Sequence, residues 1–274
     1  MLLTGLAVLA FTGPREAHAF RIPDHERITR MALSELERCG ALPSDPDTAS
    51  RSFLESVIQG DLDEDLDLVR KWSHYSHYYH PLKELDMRRA DSSVTILESE
   101  TALRQGRALP ESSRAEILGR VIHHIQDAAA PVHVVPVSHW LTDGFESLDA
   151  ELPETLDCGR LREVESRALR TESLLDLLKG TALGTLATLD EAVPYRRVGK
   201  SRTTSWKLAF WKDAEGPVFG DYGAFGNAFG DTAFWYRGDR VEIDPGVYVR
   251  YKQARMRAAV EATQADWFWY LKRL

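Results

Sequence analysis

This sequence predicts an all-α, single-domain protein. Apolar residues recur at helical spacing between recognisable start and stop signals. No fixed-period repeat and no low-complexity linker divides the 274 residues. A third observation concerns chemistry: all nine histidines fall at or before His139. Any histidine-based site therefore belongs to the first half, and the second half reads as further helices whose role the sequence leaves open.

Pro23-Asp24 opens a helix that runs to about Gly40, with Asp24 as N-cap and Gly40 as the stop. Its apolar stripe is Ile28, Ala32 and Leu36, and His25 lies on that stripe one turn earlier. A Pro/Asp loop (41–48) leads to a helix over about 49–60, followed by the acidic run 61–67, whose default reading is a solvated surface. A His/Tyr-dense stretch, 72–81, precedes a short helix over 93–105. Ser113 and Glu116 form a capping box that opens the central helix. Asp143-Gly144-Phe145-Glu146 opens another helix, and further helices are predicted over about 160–178, 183–191 and 247–273. The glycine-aromatic stretch 220–230 has no Lys-Ser/Thr ending and is not a phosphate loop.

Composition narrows the class. The apolar fraction of 43% is enough for a sizeable core, and no run is long enough to span a bilayer. A net charge of −8 argues against tight binding to a phosphate backbone by charge alone. It leaves open an enzyme that meets polyanions through metal ions. Residues 1–19 read as a secretory signal: an apolar core, a Gly13-Pro14 break and a small-x-small ending before Phe20, though no Lys or Arg precedes the core. The expected mature domain is 20–274, secreted or periplasmic. Two cysteines, Cys39 and Cys158, suit an exported chain with room for one disulfide.

The chemistry centres on residues 123–133, His-His-Ile-Gln-Asp-Ala-Ala-Ala-Pro-Val-His. His123 and Asp127 are four apart and share a helix face. Pro131 is expected to stop the helix and turn the chain extended, so that His133 points elsewhere. Imidazole and carboxylate at this spacing suit zinc. His124 has Ala128 as its own i+4 partner, and both it and His74 are left as structural or as outer partners of the ligands. The candidate ligands are His25, an Asp of the 61–67 run, His77, His123, Asp127, His133, His139 and Glu146. They exceed the three or four protein ligands of one zinc site, which suggests a multinuclear hydrolytic centre.

The pattern resembles the zinc-dependent phospholipase C / S1-P1 nuclease family. It does so through His123-x3-Asp127-x5-His133 with Pro131 in place, His25 in the first helix, His77-Tyr78-Tyr79-His80-Pro81, Gly60-x3-Glu64-Asp65, and the later His139 and Glu146. The resemblance covers about residues 20–146. It implies a multi-helix bundle with a cluster of up to three zinc ions in a cleft. Asp65, His77, His123 and Asp127 would hold one zinc, and Phe20, His25 and a bridging Asp127 the second. His133, His139 and Glu146 would hold the third. Phe20 would ligate through its free amine and carbonyl oxygen, so signal removal would complete the site. Asp63 rivals Asp65, and Asp143, four residues from His139, rivals Glu146. Asp65 would orient or deprotonate the water that attacks phosphorus.

The expected substrate is a phospholipid headgroup or another phosphodiester, with transient membrane contact. A P1-type nuclease on single-stranded nucleic acid and a non-catalytic zinc-binding scaffold are the alternatives. Phe145-Glu146 favours the phospholipase side.

Overall fold

A computed structural model describes residues 20–42, 50–66, 77–82, 92–134, 144–152, 157–210, 228–236 and 238–273. The expected signal (1–19), His74, His139, Asp143 and most of the glycine-aromatic stretch lie outside the described residues. The chain is mostly helical, as expected, and carries in addition a small four-stranded sheet. Among the described residues no helix is long and apolar enough to cross a membrane.

The first half supplies α1 (Ile22–Arg38), α2 (Arg51–Leu66), α3 (Ser92–Leu103), α4 (Glu111–Asp127), α5 (Pro131–Val134) and α6 (Gly144–Ser147). Pro23 sits in the first turn of α1, where its missing N–H costs nothing, and Asp24 lies inside the helix. Arg21 is the N-cap in its place. Gly40, at φ 66°, releases the chain just past the end of α1. The central helix α4 starts at Glu111 behind Pro110, with no side-chain cap, so Ser113 lies within the first turn and is not the cap. Pro131 does not send the chain extended. Ala128–Ala130 form a turn, and Pro131 opens α5, a role its fixed φ also suits.

The second half is α7 (Cys158–Arg170), α8 (Leu174–Thr188), β1 (Ala192–Arg197), β2 (Lys200–Ser205), α9 (Lys207–Phe210), β3 (Ala233–Tyr236), β4 (Asp239–Glu242) and α10 (Pro245–Leu271). The helix expected over 160–178 is broken at Thr171–Ser173, because the Ser173 hydroxyl caps a new helix by accepting the Asp176 N–H at 3.0 Å. The sheet, ordered β2-β1-β4-β3 and antiparallel throughout, was not predicted. Its strands are short, β2 is almost wholly exposed, and Val198-Gly199 is an unusual hairpin turn pair.

Cys39, at the end of α1, is bonded to Cys158, at the start of α7, with Cα atoms 5.5 Å apart. The two cysteines that the sequence left unpaired thus join the halves.

The core has two parts. Phe20, Phe145, Trp206, Phe229, Tyr248 and Tyr251 form an aromatic cluster between the sheet and the first half of α10. The second part packs α2, α3 and α4 against Trp267, Trp269 and Tyr270 at the far end of α10. Helices α2 and α4 cross at two glycines. A Cβ on Gly119 would lie 2.2 Å from the Val57 carbonyl oxygen and 2.6 Å from the Asp61 nitrogen. A Cβ on Gly60 would meet the Glu116 carbonyl oxygen at 2.7 Å. Gly119→Ala should therefore cost about 3 kcal/mol or more, because backbone on the far side cannot move aside as a side chain can. Urea denaturation checks this; a loss below about 1 kcal/mol would contradict so close a crossing.

Asp266 on α10 is fully buried, and neither carboxylate oxygen has a hydrogen-bond partner among the described residues. Burial raises its pKa well above the ordinary carboxylate value. An acid with a raised folded pKa holds its proton more tightly folded than unfolded, so stability falls as pH rises through the window between the two pKa values. Relative to Asp266→Asn, the wild-type chain should lose about 1.4 kcal/mol per pH unit across that window. Urea midpoints at about pH 5 and about pH 7 give the test, and a constant gap would contradict it.

Candidate metal centre

The centre is assembled where α2 and α4 cross, with α1 against them. On α2, Phe53, Val57, Asp61 and Asp65 recur every four residues and are all buried. The helix does not end at Gly60 but continues through the acidic run, and the buried stripe turns from apolar to acidic. Asp63 is off the stripe and accepts a hydrogen bond from Gln59 at 2.6 Å. The structure thus brings Asp65, and not Asp63, to the histidines.

Asp127 is the hub. Its Oδ1 faces His25 Nε2 at 3.4 Å. Its Oδ2 faces His77 Nδ1 at 2.9 Å, His123 Nε2 at 3.4 Å and His133 Nδ1 at 3.5 Å. Two oxygens of one carboxylate thereby look into two groups of imidazoles. His123 Nε2 also lies 3.9 Å from Asp65 Oδ2 and 3.2 Å from His77 Nδ1. His133 Nε2 lies 3.9 Å from Glu146 Oε1, and its Nδ1 donates to the His77 carbonyl oxygen. Phe20 is fully buried with its ring edge-on to His25, centroids 5.8 Å apart. Of the expected ligands, only His139 is not placed by the described residues.

Two histidines are held by their far nitrogens through a network that sequence reasoning missed. Thr263 Oγ1 donates to the Ala259 carbonyl oxygen at 2.9 Å, and Thr29 Oγ1 donates to Asp61 Oδ2 at 2.6 Å. Both hydroxyls have spent their protons, so both accept from Gln126 Nε2, at 3.0 Å and 2.7 Å. That leaves Gln126 Oε1 to accept from His25 Nδ1 at 2.7 Å. Asp61 Oδ1 accepts from His123 Nδ1 at 3.3 Å. Both rings consequently turn Nε2 toward Asp127, as outer partners of metal-binding histidines do. The signal was present at Asp61: it continues the four-residue spacing of the Phe53–Val57 stripe. Asp61→Asn and Gln126→Leu should each weaken metal binding about 10- to 100-fold with the helix content unchanged. Competition against a zinc chelator measures this; full affinity in both variants would exclude the orienting role.

Electrostatics favour a cation. His123 is fully buried, which by itself lowers its pKa, but Asp127, Asp65 and Asp61 outweigh that and raise it to about 10. His25 is raised as well, by Asp127 and Asp61 against burial and the nearby His123. Asp127 is held well below the ordinary carboxylate value: burial opposes its charge, but His133, His123, His25 and His77 overcome it. His25 Nε2 and Asp127 Oδ1 are buried and make no hydrogen bond among the described residues. A divalent ion would supply the positive charge and the bonds that these atoms lack. Three groups bring one donor atom per residue to within 4.8 Å of one another: His25, Asp61 and His123; Asp65, His77 and His123; and His77, His124 and Asp127. The buried His/Asp clusters could therefore hold a metal ion.

His124 stands apart. Burial lowers its pKa to about 4, and its Nε2 lies 3.6 Å from Glu64 Oε2, which also accepts from Arg120 through Oε1 at 2.8 Å. It is a neutral histidine buried behind the hub, and its position also completes one of the three donor groups.

Lys252 is a second missed residue. Fully buried on α10, it pairs with Asp24 at 3.2 Å and donates to the carbonyl oxygens of Glu146 at 3.0 Å and Leu148 at 2.8 Å. One ammonium thus ties α10 to the start of α1 and to α6, fixing where His25 and Glu146 stand. Compared with known proteins, the chain matches no family model, no curated protein and no solved structure.

Proposed function

We propose that the protein is a secreted, zinc-dependent phosphodiester hydrolase of the phospholipase C type, with the bundle architecture of the phospholipase C/P1 nuclease family. The observation that carries this reading is Asp127, whose two oxygens are divided between His25 on one side and His77, His123 and His133 on the other. A carboxylate so divided could serve two ions at once. Imidazoles with carboxylates suit zinc among the divalent metals.

In this reading Asp65, His77, His123 and Asp127 hold one zinc; Phe20, His25 and Asp127 hold another; and His133 and Glu146 serve a third together with His139. When bound there, zinc would supply Lewis acidity toward a phosphate oxygen and would lower the pKa of a water to about 7. The chain contributes the rest. Asp65, nearly buried beside His123, is the base for the attacking water. Asp61 and Gln126 keep His123 and His25 turned inward.

The test is zinc content by elemental analysis, followed by turnover of phosphatidylcholine beside single-stranded DNA by the same reconstituted protein. The phospholipase reading expects multinuclear zinc and headgroup release from phosphatidylcholine. Preference for single-stranded DNA would replace it with a P1-type nuclease. Stoichiometric zinc without turnover of either would leave a binding scaffold.

A further inference from the structure

We propose that the β1–β2 hairpin docks the protein, tip first, onto an anionic phospholipid surface. Residues 192–205 carry Arg196, Arg197, Lys200 and Arg202 and no acid, in a chain of net charge −8. Arg197 is tied into the sheet by Asp239. Arg196, Lys200 and Arg202 are exposed, and none makes an ion pair among the described residues. The register places Arg196 on one face of the hairpin and Lys200 and Arg202 on the other, so the cations surround the tip. Glu242, the acid opposite Arg196, is approached by Arg240 at 3.5 Å.

The tip itself is the second observation. Val198 and Gly199 connect the strands at φ 50° and 73°, a turn that favours Asn-Gly or Asp-Gly. A β-branched residue is strained in that conformation. Val198 is also 78% exposed, so packing within the fold does not repay the strain. An aliphatic side chain held out in this way, within a ring of cations, suits a surface with anionic headgroups above an apolar interior. Trp235, 69% exposed on β3 and on the same face as Arg196, adds an interfacial ring. Single-stranded nucleic acid fits less well, because the residue at the tip is the aliphatic Val198 and Tyr195, opposite Arg202, is partly buried against the core.

The test is cosedimentation of the full chain with vesicles of equal parts phosphatidylcholine and phosphatidylserine, beside pure phosphatidylcholine vesicles and a single-stranded oligonucleotide. Binding to the mixed vesicles alone, weakened by salt, is expected. Neutralising Arg196, Lys200 and Arg202 together to alanine should reduce it on the order of a hundredfold, about fivefold per cation. Val198→Asn should reduce it severalfold while leaving the melting temperature unchanged or higher, since Asn tolerates the left-handed turn. Equal binding to both vesicle types, undiminished binding by Val198→Asn, or retention on the oligonucleotide alone would overturn the proposal. The readout needs no turnover, so it stands or falls separately from the hydrolytic reading.

Discussion

If the protein is the zinc hydrolase proposed above, Asp127→Asn should strip it of most of its zinc and abolish turnover. The amide would keep the side-chain volume but could present only one oxygen to the imidazoles that the carboxylate now divides. The loss in metal affinity should exceed the roughly 10- to 100-fold attached to an outer partner, because two ions would lose a shared ligand at once. Elemental analysis gives the count, and far-ultraviolet circular dichroism shows whether the helices survive. A folded variant with full zinc content would remove Asp127 from the centre and leave its histidines as a hydrogen-bonded cluster.

The second large effect concerns Phe20. On the same proposed reading, protein whose first residue is Phe20 should bind one more zinc than the same protein with Met placed ahead of it. Phe20 is fully buried beside His25, five residues before it in the chain, and shares the aromatic cluster with Phe145 at 5.8 Å. That packing would anchor the backbone while leaving its amine and carbonyl oxygen to serve as donors. An extra residue turns the amine into an amide, which has no lone pair to offer. A change of one zinc per chain, accompanied by loss of turnover, supports maturation as the final step of site assembly. Equal zinc in both forms would mean that Phe20 is a packing residue only, and that the second ion, if present, relies on side chains alone.

Much of the candidate centre was legible in the sequence because ligand spacing on a helix is a local property. His123 and Asp127 share a face by the 3.6-residue period, and His25 lies on a stripe whose burial could be read from Ile28, Ala32 and Leu36. The acidic run was less legible. A cluster of Asp and Glu reads as surface when its helix is assumed to end at Gly60, yet the helix runs on to Leu66. Burial of Asp61, Glu64 and Asp65 then follows from the stripe beginning at Phe53. The sheet was missed because β3 and β4 are only 4 residues long, β2 has no apolar residue to alternate with its polar ones, and the turn residues were not those that usually mark a hairpin.

By itself the sequence determined the helical class, the central His-x3-Asp pair and the concentration of histidines in the first half, since each depends only on composition and on neighbours along one helix. Tertiary structure decided the rest. The glycine crossing of α2 and α4 determines which carboxylates can reach His123. Gln126, with Thr29 and Thr263 from two other helices, turns His25 inward, and Asp61 does the same for His123. Lys252, 228 residues from Asp24 in the chain, sets α1 against α6. These are contacts between groups far apart in sequence. No periodicity encodes them, because their geometry exists only once the helices have packed.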